Sequence, residues 1–216
     1  MLEGGPMYRS ESGDDRPIRS TSGESGVVRQ TDDSIFSDDF EEYSTGTVPS
    51  NFVLAGNTDQ GVVSETSSSG SQAYRMCGSH GGCWRAVARA PIETSERMSI
   101  RGSFNRGNGS VGCHKDQSGG IRLRTVASSS WSEGSAVGLL QFRPDGSVTS
   151  GGEVVGEYAA GEWTDFEIIY TRANGTVTHE CTINGNSPVS VERDVVSYED
   201  ELSALGLKSD DFTVYW

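Results

Sequence analysis

Residues 166–183 read FEIIYTRANGTVTHECTI and decide the fold class of the chain. Apolar and polar residues alternate on both sides of Asn174 and Gly175. Alternation with a period of two is typical of half-buried antiparallel strands, and Asn-Gly is among the strongest short signals for a hairpin turn. The stretch therefore predicts two antiparallel strands joined by a tight turn.

The same pattern continues on both sides of this hairpin, from Ile35 to the last residue. Alternating stretches are separated by Gly, Asn, Asp and Ser, and a second turn signal, Asp145-Gly146, follows residues 136–142. About twelve short strands fit into residues 35–216, and only Tyr198–Leu207 looks helical, with acids in its first turn. This pattern predicts an all-β, two-sheet antiparallel jelly-roll sandwich with at most one short helix.

Residues 1–34 have a different composition, dominated by Gly, Ser, Asp, Glu and Arg. Such a segment has too few large apolar groups to form a core of its own. We therefore expect an extended polar N-terminal arm that a neighbouring subunit holds in place, followed by a sandwich domain over residues 35–216. Residues 1–20 lack the apolar region of a secretory signal, so we expect none.

The charge balance argues against two kinds of partner. The chain has 31 acidic and 17 basic residues and a net charge of -14. It is therefore poorly suited to nucleic-acid phosphates, and it has no apolar run long enough to insert into a membrane. All the basic residues are Arg except Lys115 and Lys208. Acidity with few lysines favours adaptation to high salt, where repulsion between carboxylates is screened; an ordinary acidic mesophilic protein is the alternative.

Four motifs resemble strands of the concanavalin A-like lectin/glucanase jelly rolls, which include LamG-like domains. Residues 37–41, followed by Val48-Pro49, resemble the opening strand, and residues 161–168 resemble a strand that begins with Gly-x-Trp. Residues 181–185 resemble the next strand, and residues 211–216 resemble the closing strand. The resemblance implies two curved sheets, one concave face, and a closing strand that pairs with the first. With the acidic composition, it favours a haloarchaeal or haloarchaeal-virus member.

The resemblance covers glycan-binding modules, polysaccharide-cleaving enzymes and structural modules of surfaces and virions, and the fold does not choose among them. The glucanases carry Glu-x-Asp-x-x-Glu on one strand. The nearest match is residues 162–167, where Glu162 and Asp165 lie three apart and so face opposite sides. A lyase would need a Tyr or His base beside an Arg, and no spacing unites such residues. We expect no catalytic residues.

The cysteines leave several alternatives open. Cys77 and Cys83 flank a short glycine-rich loop and are candidates for a disulfide. The alternative is a zinc site. Its ligands would be Cys77, His80, Cys83 and either Cys113 or His114. Cys113 and Cys181 are a further possible pair, or Cys181 is a buried free thiol, since it shares a strand face with apolar residues.

Calcium is the one cofactor that the sequence suggests, and none is otherwise expected. Asp38, Asp39, Asp210 and Asp211 would approach one another if the first and last strands pair. Carboxylate oxygens suit Ca²⁺, but acids are frequent in this chain by composition alone, so no metal ligands are assigned.

Polar residues recur on single faces of three consecutive predicted strands. If these strands lie side by side, they form one surface suited to sugar hydroxyls or acidic glycans. An aromatic residue in the Ser/Gly loop of residues 128–135 would add an apolar platform. The predicted ligand-binding residues are Arg101, Asn105, Arg122, Arg124, Trp131 and Gln141. The alternative is a solvated sheet on which the arginines pair with the abundant acids.

These observations favour a non-catalytic surface module, most simply a structural or attachment protein of a virion, adapted to high salt and able to bind a host-surface glycan. Its partners would be further copies of itself or other virion or surface subunits. We expect it at the virion or extracellular surface. The rival hypotheses are a secreted glycoside hydrolase or lyase, and a cell-surface lectin of a halophilic archaeon.

Overall fold

A computed structural model of the chain describes residues 36, 38–56, 60–77, 85–110, 119–130, 133–210 and 212–216. These residues form fourteen β-strands and one 3₁₀ turn, at Glu199–Glu201. The strands are β1 (Val53–Gly56), β2 (Gln60–Val63), β3 (Ala73–Cys77), β4 (Arg85–Pro91), β5 (Arg97–Ser110), β6 (Gly119–Arg124), β7 (Ala136–Phe142), β8 (Ser147–Ser150), β9 (Glu153–Glu157), β10 (Trp163–Ala173), β11 (Thr176–Ile183), β12 (Val189–Asp194), β13 (Ala204–Asp210) and β14 (Phe212–Tyr215).

The strands form two seven-stranded sheets that pack face to face. Sheet 1 has the order β1-β4-β13-β6-β7-β8-β9, and sheet 2 has the order β12-β11-β10-β5-β14-β3-β2. Neighbouring strands are antiparallel in both sheets. The predicted all-β jelly-roll sandwich is confirmed.

The hairpin predicted for residues 166–183 is formed by β10 and β11. Ala173 pairs with Thr176, so the loop contains two residues. Asn174 has a φ of 53° and Gly175 a φ of 81°. Both angles lie in the left-handed region, which Asn and Gly tolerate best and which matches the twist of the flanking strands. The sequence therefore fixes this turn locally, without help from the rest of the fold.

Stacked aromatic rings join the two sheets. The rings of Phe104 on β5 and Phe142 on β7 lie 3.7 Å apart between centroids, with an interplanar angle of 15°. Trp216 is fully buried and lies 5.2 Å from Phe104 and 6.0 Å from Phe142. Because side chains alternate along a strand, Asn105 and Gln141, the neighbours of the two stacked residues, point to the outer faces.

The predicted helix at Tyr198–Leu207 is wrong beyond its first turn. Only Glu199–Glu201 is helical, and residues 204–210 form β13 in the middle of sheet 1. Leu205 and Leu207 point into the core, while Gly206 between them lies on the outer face. Pairing with β4 and β6 on both sides outweighs the weak helical preference of the segment. Among the described residues, no helix is long and apolar enough to cross a membrane.

The opening segment is also not the strand that the family resemblance implies. Asp38 accepts a hydrogen bond from the Phe40 N–H at 2.9 Å, and Phe40 has a φ of 63°. This local turn prevents an extended conformation. The closing strand β14 pairs with β3 and β5, so the implied pairing of first and last strands is wrong.

Candidate functional site

The structure separates the predicted ligand-binding residues into two groups. Strands β6 and β7 are neighbours in sheet 1, as expected, but β5 lies in sheet 2 between β10 and β14. Strand β5 ends at Ser110 in sheet 2, and β6 begins at Gly119 in sheet 1. The expectation that the three strands lie side by side is therefore wrong for β5.

Arg101 and Asn105 lie on the outer face of sheet 2. Arg101 forms an ion pair with Glu167 on β10, with Nη2 and Oε1 2.5 Å apart, and half of its side chain is exposed. Asn105 donates a hydrogen bond from Nδ2 to the Gly161 carbonyl at 3.2 Å. Surface ion pairs of this kind contribute little to stability. For Arg101 the structure matches the solvated-sheet alternative, whereas Asn105 is buried at 4% exposure.

Two carboxylates share this outer face, Asp165 and Glu167. Ser103 donates a hydrogen bond to Asp165 at 2.7 Å, and Arg101 binds Glu167. Both acids therefore serve as partners of polar side chains on β5. Glu162, the remaining acid of the glucanase-like stretch, lies before β10 begins.

Arginine and glycine alternate across four neighbouring strands on the outer face of sheet 1. Arg89 on β4 pairs with Gly206 on β13. Gly206 also pairs with Arg122 on β6, which in turn pairs with Gly138 on β7. We call these four residues the Arg/Gly row.

The glycines of the Arg/Gly row are not required by the backbone. A Cβ at Gly206 would lie 3.6 Å from the Arg124 Cδ, and a Cβ at Gly138 would lie 3.9 Å from the Gln141 Nε2. Both distances are ordinary van der Waals contacts, and neither glycine has a positive φ. A glycine inside a strand weakens it and often marks a place where another group approaches the backbone closely. Gly138 is exposed and leaves the sheet surface open, whereas Gly206 is buried between the arginines.

Four cations surround a small cavity beside this row, which we call the basic pocket. It has a volume of about 30 Å³. Its lining residues are Val87, Arg89, Arg122, Arg124, Gly206 and Lys208. Arg89 is 1% exposed, Lys208 2% and Arg124 9%. Charged side chains are seldom buried to this extent.

The two most constrained guanidinium groups repel each other. Burial and, to a smaller extent, the charge of Arg124 lower the pKa of Arg89 to about 10 against the opposing effect of Glu133. Burial also lowers the pKa of Arg124. Both remain charged at neutral pH. Among the described carboxylates, none forms an ion pair with either guanidinium.

The guanidinium groups instead hold the loop between β6 and β7. Arg89 donates from Nη1 to the carbonyls of Ser128 and Ser130, the latter at 2.9 Å. Arg124 donates from Nη2 to the carbonyls of Glu133 at 2.8 Å and Gly134 at 3.1 Å. The Nε atoms of both arginines are buried without a hydrogen-bond partner. Trp131 belongs to this loop by sequence but lies outside the described residues.

Sequence reasoning missed Arg89 and Lys208. The signal for Arg89 was present in β4, which reads RAVARAP: three alanines alternate with larger residues. Ala86, Ala88 and Ala90 are all fully buried, so Arg89 is on the outer face. Lys208 was hidden because its segment resembled a helix.

A second and larger cavity lies beside the first half of β7, which β8 does not cover, and we call it the edge pocket. Strand β8 pairs with β7 only at Gln141 and Phe142, so no described strand covers the first half of β7 on that side. The cavity has a volume of about 300 Å³. Polar and glycine residues in its lining include Gly138, Gln141, Thr149, Ser150, Arg193 and Tyr198. The Thr149 hydroxyl is buried without a partner. Gly138 belongs to both the edge pocket and the Arg/Gly row.

Buried polar groups fix the inner wall of the edge pocket. Arg193 binds both carboxylate oxygens of Glu199, at 2.6 and 3.0 Å, and the Tyr170 hydroxyl donates to the same carboxylate at 2.9 Å. Burial raises the pKa of Glu199, but hydrogen bonds from Arg193, the Val196 N–H and Tyr170 lower it more, so it lies below its ordinary value. The carboxylate therefore stays charged and holds Arg193 in one orientation.

His179 lies fully inside the sandwich behind this wall. Its Nδ1 is 2.9 Å from the Ser150 hydroxyl, and its Nε2 is buried without a partner. Burial and, to a smaller extent, the nearby charge of Arg193 lower the pKa of His179 to about 4, while the charge of Glu199 opposes the shift. The imidazole is therefore neutral in the folded protein.

The predicted metal and disulfide sites lie mostly outside the described residues, which exclude His80, Cys83, Cys113, His114 and Asp211. Cys77 ends β3, and the Thr213 hydroxyl lies 3.8 Å from its Sγ. Cys181 is a buried free thiol, one of the predicted alternatives, and burial raises its pKa to about 11.

The proposed calcium ligand Asp38 already has protein partners. Its carboxylate accepts hydrogen bonds from the Tyr43 hydroxyl at 2.9 Å and the Asn51 Nδ2 at 3.0 Å, in addition to the Phe40 N–H. In the described part of the chain, no group of three or more His, Cys, Asp or Glu residues is arranged to hold a metal ion.

Comparison with known proteins finds similarity in structure but not in sequence. No protein-family model matches the chain, and no curated protein matches it. Lectin I from Ulex europaeus, solved with the methyl glycoside of α-L-fucose, is 15% identical over 80% of this chain and 91% of its own, with a TM-score of 0.50. Basic winged bean lectin with Tn-antigen is 10% identical, over 80% and 93% of the two chains, with a TM-score of 0.49.

The carbohydrate recognition domain of Emp46p is 11% identical to the chain, over 77% of this chain and 85% of its own, with a TM-score of 0.47. Of these three structures, the Ulex europaeus lectin is the one that shows the likeness of fold. The chain shares the concanavalin A-like jelly-roll fold of legume-type lectins, so the fold implied by the sequence resemblance is confirmed.

The buried state of His179 predicts a stability loss on mild acidification. The unfolded chain takes up a proton as the pH falls through about 6.5, whereas the folded chain does so only near pH 4. The contribution of the neutral His179 side chain to the free energy of unfolding is therefore complete above pH ~6.5 and is lost as the pH falls toward 4. We expect the free energy of unfolding to drop by about 1 kcal/mol more in the wild type than in His179→Gln between pH ~7.5 and ~5.5, measured by urea titration. Equal drops would contradict the prediction, and the other histidines act alike in both proteins.

Proposed function

We propose that the chain is a non-catalytic module that binds glycans at the outer face of sheet 1. The observation that carries this proposal is that the basic pocket and the edge pocket lie on neighbouring strands, where Arg122 of the basic pocket pairs with Gly138 of the edge pocket. Three of the predicted ligand-binding residues, Arg122, Arg124 and Gln141, line these two pockets. A sugar-binding site commonly combines a shaped cavity with a few fixed polar groups.

The chemistry of the two pockets suits a carbohydrate. Guanidinium N–H groups donate directional hydrogen bonds to sugar oxygens, and the Gln141 amide and the unpartnered Thr149 hydroxyl offer further polar contacts. The Arg193–Glu199 pair keeps the wall of the edge pocket rigid, which reduces the entropy lost on binding. The Trp131 platform stays part of the proposal. Arg101 and Asn105 leave it, because they lie on the other sheet.

The first test compares the same substitution on the two sheets. Arg122→Gln should weaken glycan binding at least ~10-fold, since a charge-assisted hydrogen bond contributes about 1.5–3 kcal/mol. Arg101→Gln, the matched control on sheet 2, should bind as the wild type does. The measurement is a glycan array followed by titration of the hits. Binding that survives Arg122→Gln, or that Arg101→Gln abolishes, would contradict the proposed site. Shortening of a bound polysaccharide would contradict the non-catalytic role.

We also propose that the acidic surface adapts the protein to high salt. Exposed acids with no described partner, such as Glu153, Glu157 and Glu192, lie on the edge strands β9 and β12. Raising KCl from ~0.1 M to ~1 M shortens the screening length from ~10 to ~3 Å and reduces their repulsion. The thermal midpoint should therefore rise across this range, and rise less when these three acids are replaced by Gln. A midpoint that stays flat or falls would mean that the acidity has another cause.

We further propose that the module works at a virion or cell surface, where the polar arm of residues 1–34 joins it to neighbouring subunits. The described sandwich buries its own core without this arm. A chain that lacks residues 1–34 should therefore fold, as judged by circular dichroism, but remain monomeric in light scattering while the full chain assembles. A truncated chain that assembles normally would defeat the proposal.

A further inference from the structure

We propose that the basic pocket binds an anionic substituent, a carboxylate or a sulfate ester, and hence that the ligand is an acidic polysaccharide. The inference rests on the proposed function and names the ligand class of that site. The basic pocket holds Arg89, Arg122, Arg124 and Lys208, which is one of only two lysines in the chain.

The buried and incompletely hydrogen-bonded cations that line the pocket are the first argument. The Nε atoms of Arg89 and Arg124 are buried without acceptors. A buried donor without a partner costs about 1–3 kcal/mol. An oxyanion supplies several acceptors at once, forms charge-assisted hydrogen bonds and neutralises the repulsion between the two guanidinium groups. A neutral hydroxyl supplies fewer acceptors and no charge.

The sizes of the two pockets are the second argument. A cavity of about 30 Å³ has room for one small group but not for a sugar ring. The edge pocket, at about 300 Å³, has room for a ring. Gly138 lines the edge pocket and pairs with Arg122, which lines the basic pocket, so the two cavities lie on neighbouring strands. A polysaccharide can therefore place a ring in the edge pocket and a charged substituent in the basic pocket.

The test uses pairs of polymers that differ only in charge: polygalacturonate against its methyl ester, and dextran sulfate against dextran. Binding is measured by titration in ~1 M KCl, where contacts with the exposed surface are screened. We expect the acidic polymer of at least one pair to bind ten times or more tightly than its neutral form; the pair that responds identifies the substituent. Arg89→Gln and Lys208→Gln should remove the preference, and Arg101→Gln should retain it.

A charge-retaining variant guards against simple loss of folding. Arg122 is only half-buried, so its variants disturb the core least. Arg122→Lys should bind the acidic polymer better than Arg122→Gln does. If acidic and neutral polymers bind equally well and Arg122→Gln abolishes the binding of both, the inference of an acidic ligand is overturned. The proposed glycan function would then still stand. If no polymer binds, the inference of an acidic ligand and the proposed glycan function both fail. This holds even if inorganic sulfate raises the thermal midpoint of the wild type but not of Arg89→Gln, because such a result would show only an anion site.

Discussion

The stack of Phe104 on Phe142 is the contact on which the rest of the molecule depends. It joins β5 of sheet 2 to β7 of sheet 1 and, with Trp216, fills the space between them. Aromatic side chains bury ~150–250 Å² each, so this cluster is a major part of the core. Because side chains alternate along a strand, the inward direction of these two rings places Asn105 and Gln141 on the outer faces. The register of β7 shifts at Leu139, and this irregularity also brings Gly138 to the outer face of sheet 1.

The same face carries a cost that the core must offset. Burying like charges next to each other is unfavourable, and loop carbonyls compensate Arg89 and Arg124 only in part, since their Nε atoms stay unpartnered. The loop itself depends on these hydrogen bonds for its position over the sheet. Pocket and loop therefore form one unit, in which the guanidinium groups that line the basic pocket also hold the loop.

Local features of the fold could be predicted, and long-range ones could not. Asn174 and Gly175 favour the backbone angles of their turn locally, so the hairpin of residues 166–183 can be predicted from the sequence. Strand β13 was misread because its seven residues become a strand only by pairing with β4 and β6. Arg122, Arg124 and Gln141 could be grouped because neighbouring strands carry them, whereas Arg89 joins them through β13, which is far away in sequence.

The glycines of the Arg/Gly row differ from the glycines that the fold requires. Gly206 and Gly138 have ordinary backbone angles and room for a methyl group, so neither is held in place by the architecture. By contrast, a Cβ at Gly120 would meet the Leu140 carbonyl oxygen at 2.7 Å, so that position cannot vary without backbone movement. Single substitutions at these two positions would therefore change the shape of this part of the outer face, while the backbone of the sandwich beneath keeps its course.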